Sequence, residues 1–508
     1  MPSSAHLAEV LEAHESAVGH LDPGVPDRSV EDWSFTRAGQ GGTEHLERSG
    51  TDYDSQITLG PFSDSYGQFN GVRWHRDDNG FTSNTYANDD ESFFPLRVLD
   101  DLADPKNDLT LKGETAGASP AYVIELKRPL YRHPEWVFVD KDSDLITRVE
   151  WVYRKRRIVN VYDDYRLTDG LRQPWHIHDS DGRTQLDDDW RRTTLSRSAP
   201  IDVARFAPPP STPGVGLGFA DTTALPAKMF RGQLIVRVSV QGRGLDFLID
   251  SASPNSYIDR DVAAELNLPT FGALTQLDDG TKLEYTTRID DATVGPLRFR
   301  NFVLESTTYN YQINQNVKVV GVFGYDFLAG VILHINYFDG TAELIPRERF
   351  TGANPVTGAY QLPLVMDDGV PMVSMGIGEG LAPHVIVDTA LPVTVVGGPY
   401  IDAHTGDFTD LPGEHHRDAF VPFADENSYG ARASIWRTRA SHMRFGLADY
   451  QEALVYATNF PLGGTDDAAD AIVGLDYLDF YDVYFDYPDQ RVLIKPNAYF
   501  FEVFHKTK

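Results

Sequence analysis

The 508 residues are 41% hydrophobic and 24% charged, which at about 150 residues per domain points to roughly three folded domains and excludes an intrinsically disordered chain. The 75 acidic against 45 basic side chains leave a net charge of -30, which repels phosphate backbones and anionic bilayers and argues against nucleic acid as a partner. The absence of cysteine excludes disulfides, thiolate nucleophiles and sulfur-ligated metal sites, and no apolar run approaches the ~20 residues of a membrane-spanning helix.

In residues 5–19, Leu7, Val10, Leu11 and Val18 recur at spacings of three, four and seven, which predicts a short amphipathic helix with one stripe to bury. The opening MPSSAHLAEVLEAHESAVGH has neither the basic nor the apolar region of a secretory leader. From about residue 30 to 205 the pattern changes to short alternating runs such as Tyr122 to Leu126, Trp136 to Val139, Arg148 to Tyr153 and Arg157 to Val161. They are broken by Asp, Gly and Ser turns at the spacing of an antiparallel meander, so one curved sheet is expected. Within it His176 and His178 share one strand face, but no third ligand is identifiable, and they read as solvent-facing. Asp140 to Asp144 imitates a calcium loop, but Leu145 and Trp151 stand where Gly and a bidentate Glu are needed, so a β-turn is expected. The acidic runs Asp89 to Glu91 and Asp187 to Asp189 read as solvated surface.

Prolines at 208, 209, 210 and 213 interrupt regular pairing and mark a boundary. The expected domains are therefore 1–206, a linker 207–214, a lobe 215–347, a linker 348–362 and a second lobe 363–505. The two lobes rest on an internal repeat. FLIDSASP from Phe247 aligns with VIVDTALP from Val385 at an offset of 138, and the 25 residues from Val322 align with those from Ile472 at an offset of 150. The second window shares Gly324/Gly474, Asp326/Asp476, Leu328/Leu478, Tyr337/Tyr487, Asp339/Asp489 and Pro346/Pro496. Gly280 and Gly430, also 150 apart, each precede a strand-like stretch. Order and spacing both recur, which predicts two copies of one β-fold about an approximate dyad.

Each copy brings one Asp at the end of an apolar strand, followed by a hydroxyl residue. Two carboxylates held a few ångströms apart cannot both ionise; sharing one proton, one activates water while the other polarises a carbonyl, as in the aspartic-protease dyad. Adjacent His415 and His416 read as exposed, and no other hydrolase motif offers a rival centre.

These elements, LIDSAS with VFG and VIVDTAL with IVG, resemble those of retropepsin-like and pepsin-like aspartic proteases over roughly residues 215–505. The resemblance implies Asp250 and Asp388 as the catalytic pair, Ser251 and Thr389 as the hydroxyls that brace it, and hairpin flaps near Gly280 and Gly430 with Tyr285 and Trp436 as their aromatics. The family's Gly after Asp-Thr/Ser is Ala252 in one lobe and Ala390 in the other; alanine keeps the backbone N–H but adds a methyl where a substrate would run. That replacement fits either a tolerated variant of a working site or a fold kept for binding peptide or lipidated protein without catalysis. More loosely, the opening helix with GQFNGVRWHRDDNG, WVFVDKDSDLITRVEW and VYDDYRLTDGLRQPWHI resembles the half-barrel of periplasmic lipoprotein-carrier proteins. That resemblance implies a possible lipid or lipoprotein ligand for the first domain and a periplasmic or secreted address for a trimmed mature chain.

The expected architecture is thus mostly β: a helix and curved antiparallel sheet, then two pseudo-twofold-related retropepsin-like lobes. The expected function is an aspartic endopeptidase acting on peptide or protein substrate. It needs no cofactor and no metal, and with both lobes in one chain a monomer suffices.

Overall fold

The computed structural model describes residues 4–37, 40–60, 62–84, 102, 104–117, 119–128, 134–153, 156–184, 187–211, 219, 221–271, 275–276, 282–307, 311–314, 317–367, 370–421, 431–446, 448–459, 462 and 469–504. They fall into two compact units, one of residues 1–78, 82–210 and 271–283, the other of 79–81, 211–270 and 284–508. Residues 79–81 and 271–283 thus belong to units other than those a single cut near residue 207 gives them. Asp89 to Glu91 lies outside the described residues.

In the first unit, helix α1 (Ser4–Val18) buries Val10, flanked by half-buried Leu7 and Leu11, against Ile124, Val137, Val139, Ile146 and Val149. The sheet it covers has thirteen strands among the described residues. Every neighbour pairing in it is a meander step except one: the first strand, Arg28–Arg37, pairs antiparallel with both the second, Gln40–Ser49, and the last, Asp188–Ser196. Burial alternates along Arg28–Arg37, as the period of two requires, and puts Ser29, Glu31, Trp33 and Phe35 inward.

Several polar residues of this sheet do more than face water. His176 is held between two carboxylates, Nδ1 2.7 Å from Asp163 and Nε2 2.8 Å from Asp189, and Asp188 is buried and paired with Arg37 at 2.8 Å. The solvent-facing reading of His176 and of the Asp187 to Asp189 run is corrected accordingly: strand register, invisible in the local pattern, brings opposite charges together. The Asp140 segment is a turn in which its side chain accepts from the Asp142 and Ser143 N–H groups, an Asx turn.

The second unit contains two lobe sheets of matching order. In the first, Arg243–Ile249 is followed by Val317–Phe323, Tyr257–Asp259, Leu297–Thr307 and Lys282–Val294; in the second, Gly380–Val387 is followed by Ala471–Val473, Val395–Val396, Ala448–Thr458 and Ala431–Phe445. In each, the strand that ends at the motif Asp runs parallel to the strand that ends at the repeated Gly, Ile249 beside Phe323 and Val387 beside Val473. A sheet of six strands among the described residues joins the lobes. Its central pair, Ile332–Asn336 with Tyr481–Asp486, sets His334 opposite Tyr484, with the rings stacked 4.1 Å apart. Those two positions are 150 residues apart, so the pseudo-dyad passes between them.

The outer strands of this sheet are Thr223–Ala224 and Tyr360–Pro363. The expected linker 348–362 is therefore corrected at its end: Leu362 is buried and its strand pairs with Arg491–Pro496. A short terminal helix, Ala498–Phe504, was not expected either. One apolar core runs through both lobes, with Phe247, Phe299, Phe323 and Phe327 contributed by the first and Val385, Phe445, Val455 and Phe485 by the second.

Candidate active site

The two repeated glycines explain how the loops meet. A Cβ on Gly324 would lie 2.6 Å from the carbonyl oxygens of Ser253 and Asn255, and one on Gly474 would lie 2.6 Å from those of Leu391 and Val393. Only a residue without a side chain lets the returning strand pass this close to the motif loop. Behind each glycine an Asp fixes the loop from below. Asp326 accepts from the Ser256 N–H at 2.8 Å and from its hydroxyl, while Asp476 accepts from the Thr394 N–H at 3.0 Å and its hydroxyl at 2.7 Å. Those hydroxyls in turn accept from the Gly324 and Gly474 N–H groups at 2.9 and 3.0 Å.

Asp250 and Asp388 emerge where the apolar strands end, their N–H groups bonded to the carbonyls of Phe323 and Val473. The next residues interlock across the dyad. Ser251 Oγ donates to the Val387 carbonyl at 2.6 Å and accepts from the Thr389 N–H at 3.1 Å. Thr389 Oγ1 donates to the Ile249 carbonyl at 3.1 Å and accepts from the Ser251 N–H at 3.1 Å. Both hydroxyl residues are wholly buried, so four backbone groups find their partners only in the opposite lobe.

The two carboxylates share one electrostatic environment. Burial pushes the Asp250 carboxyl up to about 6, against the backbone N–H groups of Ala252 and Ser253. Asp388 is raised well above the ordinary range by burial first and by the Asp250 charge second, against the N–H groups of Ala390 and Leu391. The pair therefore holds a proton at pH values where isolated carboxyls are ionised.

Ala252 and Ala390 keep the function of the missing glycines' N–H groups, donating to the Oδ1 atoms of Asp250 at 2.9 Å and Asp388 at 2.6 Å. Neither has positive φ. Their methyls exchange lobes: Ala252 is wholly buried among Ile386, Leu391, Val395 and Ile472, and Ala390 packs on Ile235, Leu248 and Val322.

Hairpin strands flank both expected tips, Thr275–Gln276 with Lys282–Val294 and Arg417–Val421 with Ala431–Phe445. Gly280, Gly430 and the side chain of Tyr285 lie outside the described residues. Trp436 stands in the second of these hairpins, the one expected to carry a flap, stacked 4.2 Å from the exposed His416 and donating to Asp410 at 3.1 Å. Sequence reasoning missed Gln233, whose Nε2 donates to the Ala390 carbonyl at 2.7 Å, and Tyr487, whose hydroxyl donates to the Ser251 carbonyl at 3.3 Å. The repeat identity Tyr337/Tyr487 was a signal for the second; Gln233 had none.

A family model described as aspartyl protease matches residues 236–327, which carry the first motif Asp and the first repeated Gly, so this region is aspartyl protease-like. A search of curated proteins finds no match. Among solved structures, a DUF1329 family protein from Desulfovibrio piger is 14% identical, with 41% of this chain and 98% of that one covered and a TM-score of 0.31. A LolA superfamily protein from Nitrosomonas europaea is 10% identical over 39% of this chain and 96% of that one, with a TM-score of 0.30. Basic 7S globulin from soybean is 12% identical over 54% and 95%, with a TM-score of 0.32. Among the described residues no helix is long and apolar enough to cross a membrane.

Proposed function

We propose that the chain is an aspartic endopeptidase with Asp250 and Asp388 as its catalytic pair. The observation that carries the reading is the reciprocal bracing of Ser251 and Thr389, which joins the two acid-bearing loops through buried hydrogen bonds. In the reaction, the ionised carboxylate takes a proton from a water whose oxygen attacks the peptide carbonyl carbon, while the protonated carboxyl donates to the carbonyl oxygen. Collapse of the tetrahedral intermediate breaks the C–N bond as a proton passes to the leaving amine. An extended peptide suits the site because it pairs its backbone with strand edges and places alternate side chains to either side.

The packing of Ala252 and Ala390 into opposite lobes supports catalysis over capture without cleavage, since methyls so directed do not obstruct a substrate. The test is digestion of a broad peptide library by the full chain and by Asp250→Asn and Asp388→Asn, with an inhibitor bearing a secondary-alcohol mimic of the intermediate. Inhibitable cleavage by the parent, lost in both variants that remain folded, is expected. Cleavage by the variants at the parental rate would refute the dyad, and peptide retention without cleavage would favour a binding protein.

A further inference from the structure

The two unexpected contacts share a geometry that their residue names conceal. The Ser251 carbonyl and the Ala252 N–H belong to one peptide unit, bonded on one side by the Tyr487 hydroxyl and on the other to the Asp250 carboxylate. The Ala390 carbonyl and the Leu391 N–H form another such unit, bonded by Gln233 on one side and to the Asp388 carboxylate at 3.0 Å on the other. Tyr487 comes from the second lobe and acts on the first lobe's loop; Gln233 comes from the first and acts on the second's. We propose that Tyr487 and Gln233 are positioning residues, each clamping from the opposite lobe the peptide plane whose N–H is aimed at a carboxylate of the dyad.

The clamp acts in two ways. It fixes the plane's rotation, so the N–H keeps its direction, and a carbonyl that accepts a hydrogen bond polarises its peptide and strengthens the N–H as a donor. A stronger donor favours the ionised carboxylate. The two halves of the dyad are thus tuned by unlike groups. In matching register, Ile235 opposite Leu248 and Met372 opposite Ile386, the second lobe has apolar Val370 where the first has Gln233. Among the described residues the buried hydroxyl of Tyr337, the repeat counterpart of Tyr487, has no hydrogen-bond partner, so the clamp is not repeated by symmetry. The ionisable groups bearing on Asp250 are Asp388 and Tyr487, the latter packed edge-on against Tyr325 at 5.3 Å; those bearing on Asp388 are Asp250 and Tyr337, with Asp479 beyond.

The proposal rests on the endopeptidase reading, and the experiment separates the two. The pH profile of kcat/KM is measured for the full chain and for Tyr487→Phe and Gln233→Met, on a peptide selected from the library digest. Tyr487→Phe and Gln233→Met are each expected to move the profile to higher pH by about 0.1–0.7 units, the consequence of weakening a charge-assisted bond by about 10–30%. Their kcat should fall about threefold to tenfold with little change in KM. A parental profile for both clamp variants, with the Asp→Asn variants inactive, overturns the clamp and leaves the dyad standing. If the protein cleaves nothing, the clamp is still decided. The difference in urea-unfolding free energy between each protein and its Asp250→Asn form, followed against pH, reports the Asp250 titration without substrate. An upward shift in the Tyr487→Phe background supports the clamp, and no shift overturns it.

Discussion

Restoring glycine at Ala252 and Ala390 tests how this site departs from the family pattern. The Ala252 methyl is wholly buried in the opposite lobe's cluster, so removing it forfeits about 0.8 kcal/mol of burial. Glycine adds about 0.4–1 kcal/mol of chain entropy to the unfolded state, giving a loss of about 1.5 kcal/mol for Ala252→Gly. Ala390 is half-buried, and Ala390→Gly should cost about 1 kcal/mol on the same reasoning. Neither variant should gain activity, because the methyls point into packed side chains and the backbone N–H groups are unchanged. Urea unfolding of the full chain reads the first expectation and peptide cleavage the second. Unchanged or higher stability together with a tenfold or greater rise in cleavage would show that the methyls intrude on the substrate path.

Thr389→Val keeps the side-chain shape but strips partners from the buried Ser251 N–H and Ile249 carbonyl, so a loss of about 2–5 kcal/mol is expected in urea unfolding. Ser251→Ala should behave alike, and the double variant should lose less than the sum because the hydroxyls belong to one network; strict additivity would contradict the interlock. Gly324→Ala forces a Cβ to 2.6 Å from two carbonyl oxygens and should cost about 3 kcal/mol or prevent folding, whereas a loss under about 1 kcal/mol would mean that the loop yields. Raised carboxyls should make stability pH-dependent: Asp250 and Asp479 reach about 6, and Glu44, Asp78 and Asp179 about 7, burial being the leading cause throughout. In that window the folded chain binds protons that the unfolded chain has released, so their contribution is complete below about pH 4 and is lost as pH rises towards 7. Urea midpoints should therefore be higher at pH 5 than at pH 7, and the reverse order would contradict the burial of these groups.

Much of the fold could be read from local pattern. Leu7, Val10 and Leu11 sit at helical spacing and form the buried stripe of α1; alternating runs became strands; and the repeat singled out Asp250, Asp388, Ser251 and Thr389 because chemistry and spacing recurred together. Such signals survive in one dimension because a period of 2 or 3.6 and a duplicated motif are properties of neighbouring residues. Tertiary structure alone decided the rest. Gln233 finds Ala390 across 157 residues and Tyr487 finds Ser251 across 236, and the methyl of Ala252 turns into the opposite lobe. His176 is gripped by two aspartates, and Trp436 stacks on His416. Each of these depends on which residues the register of separate strands sets face to face, and a hydrogen bond or a buried methyl takes its energy from that partner, which no local window contains.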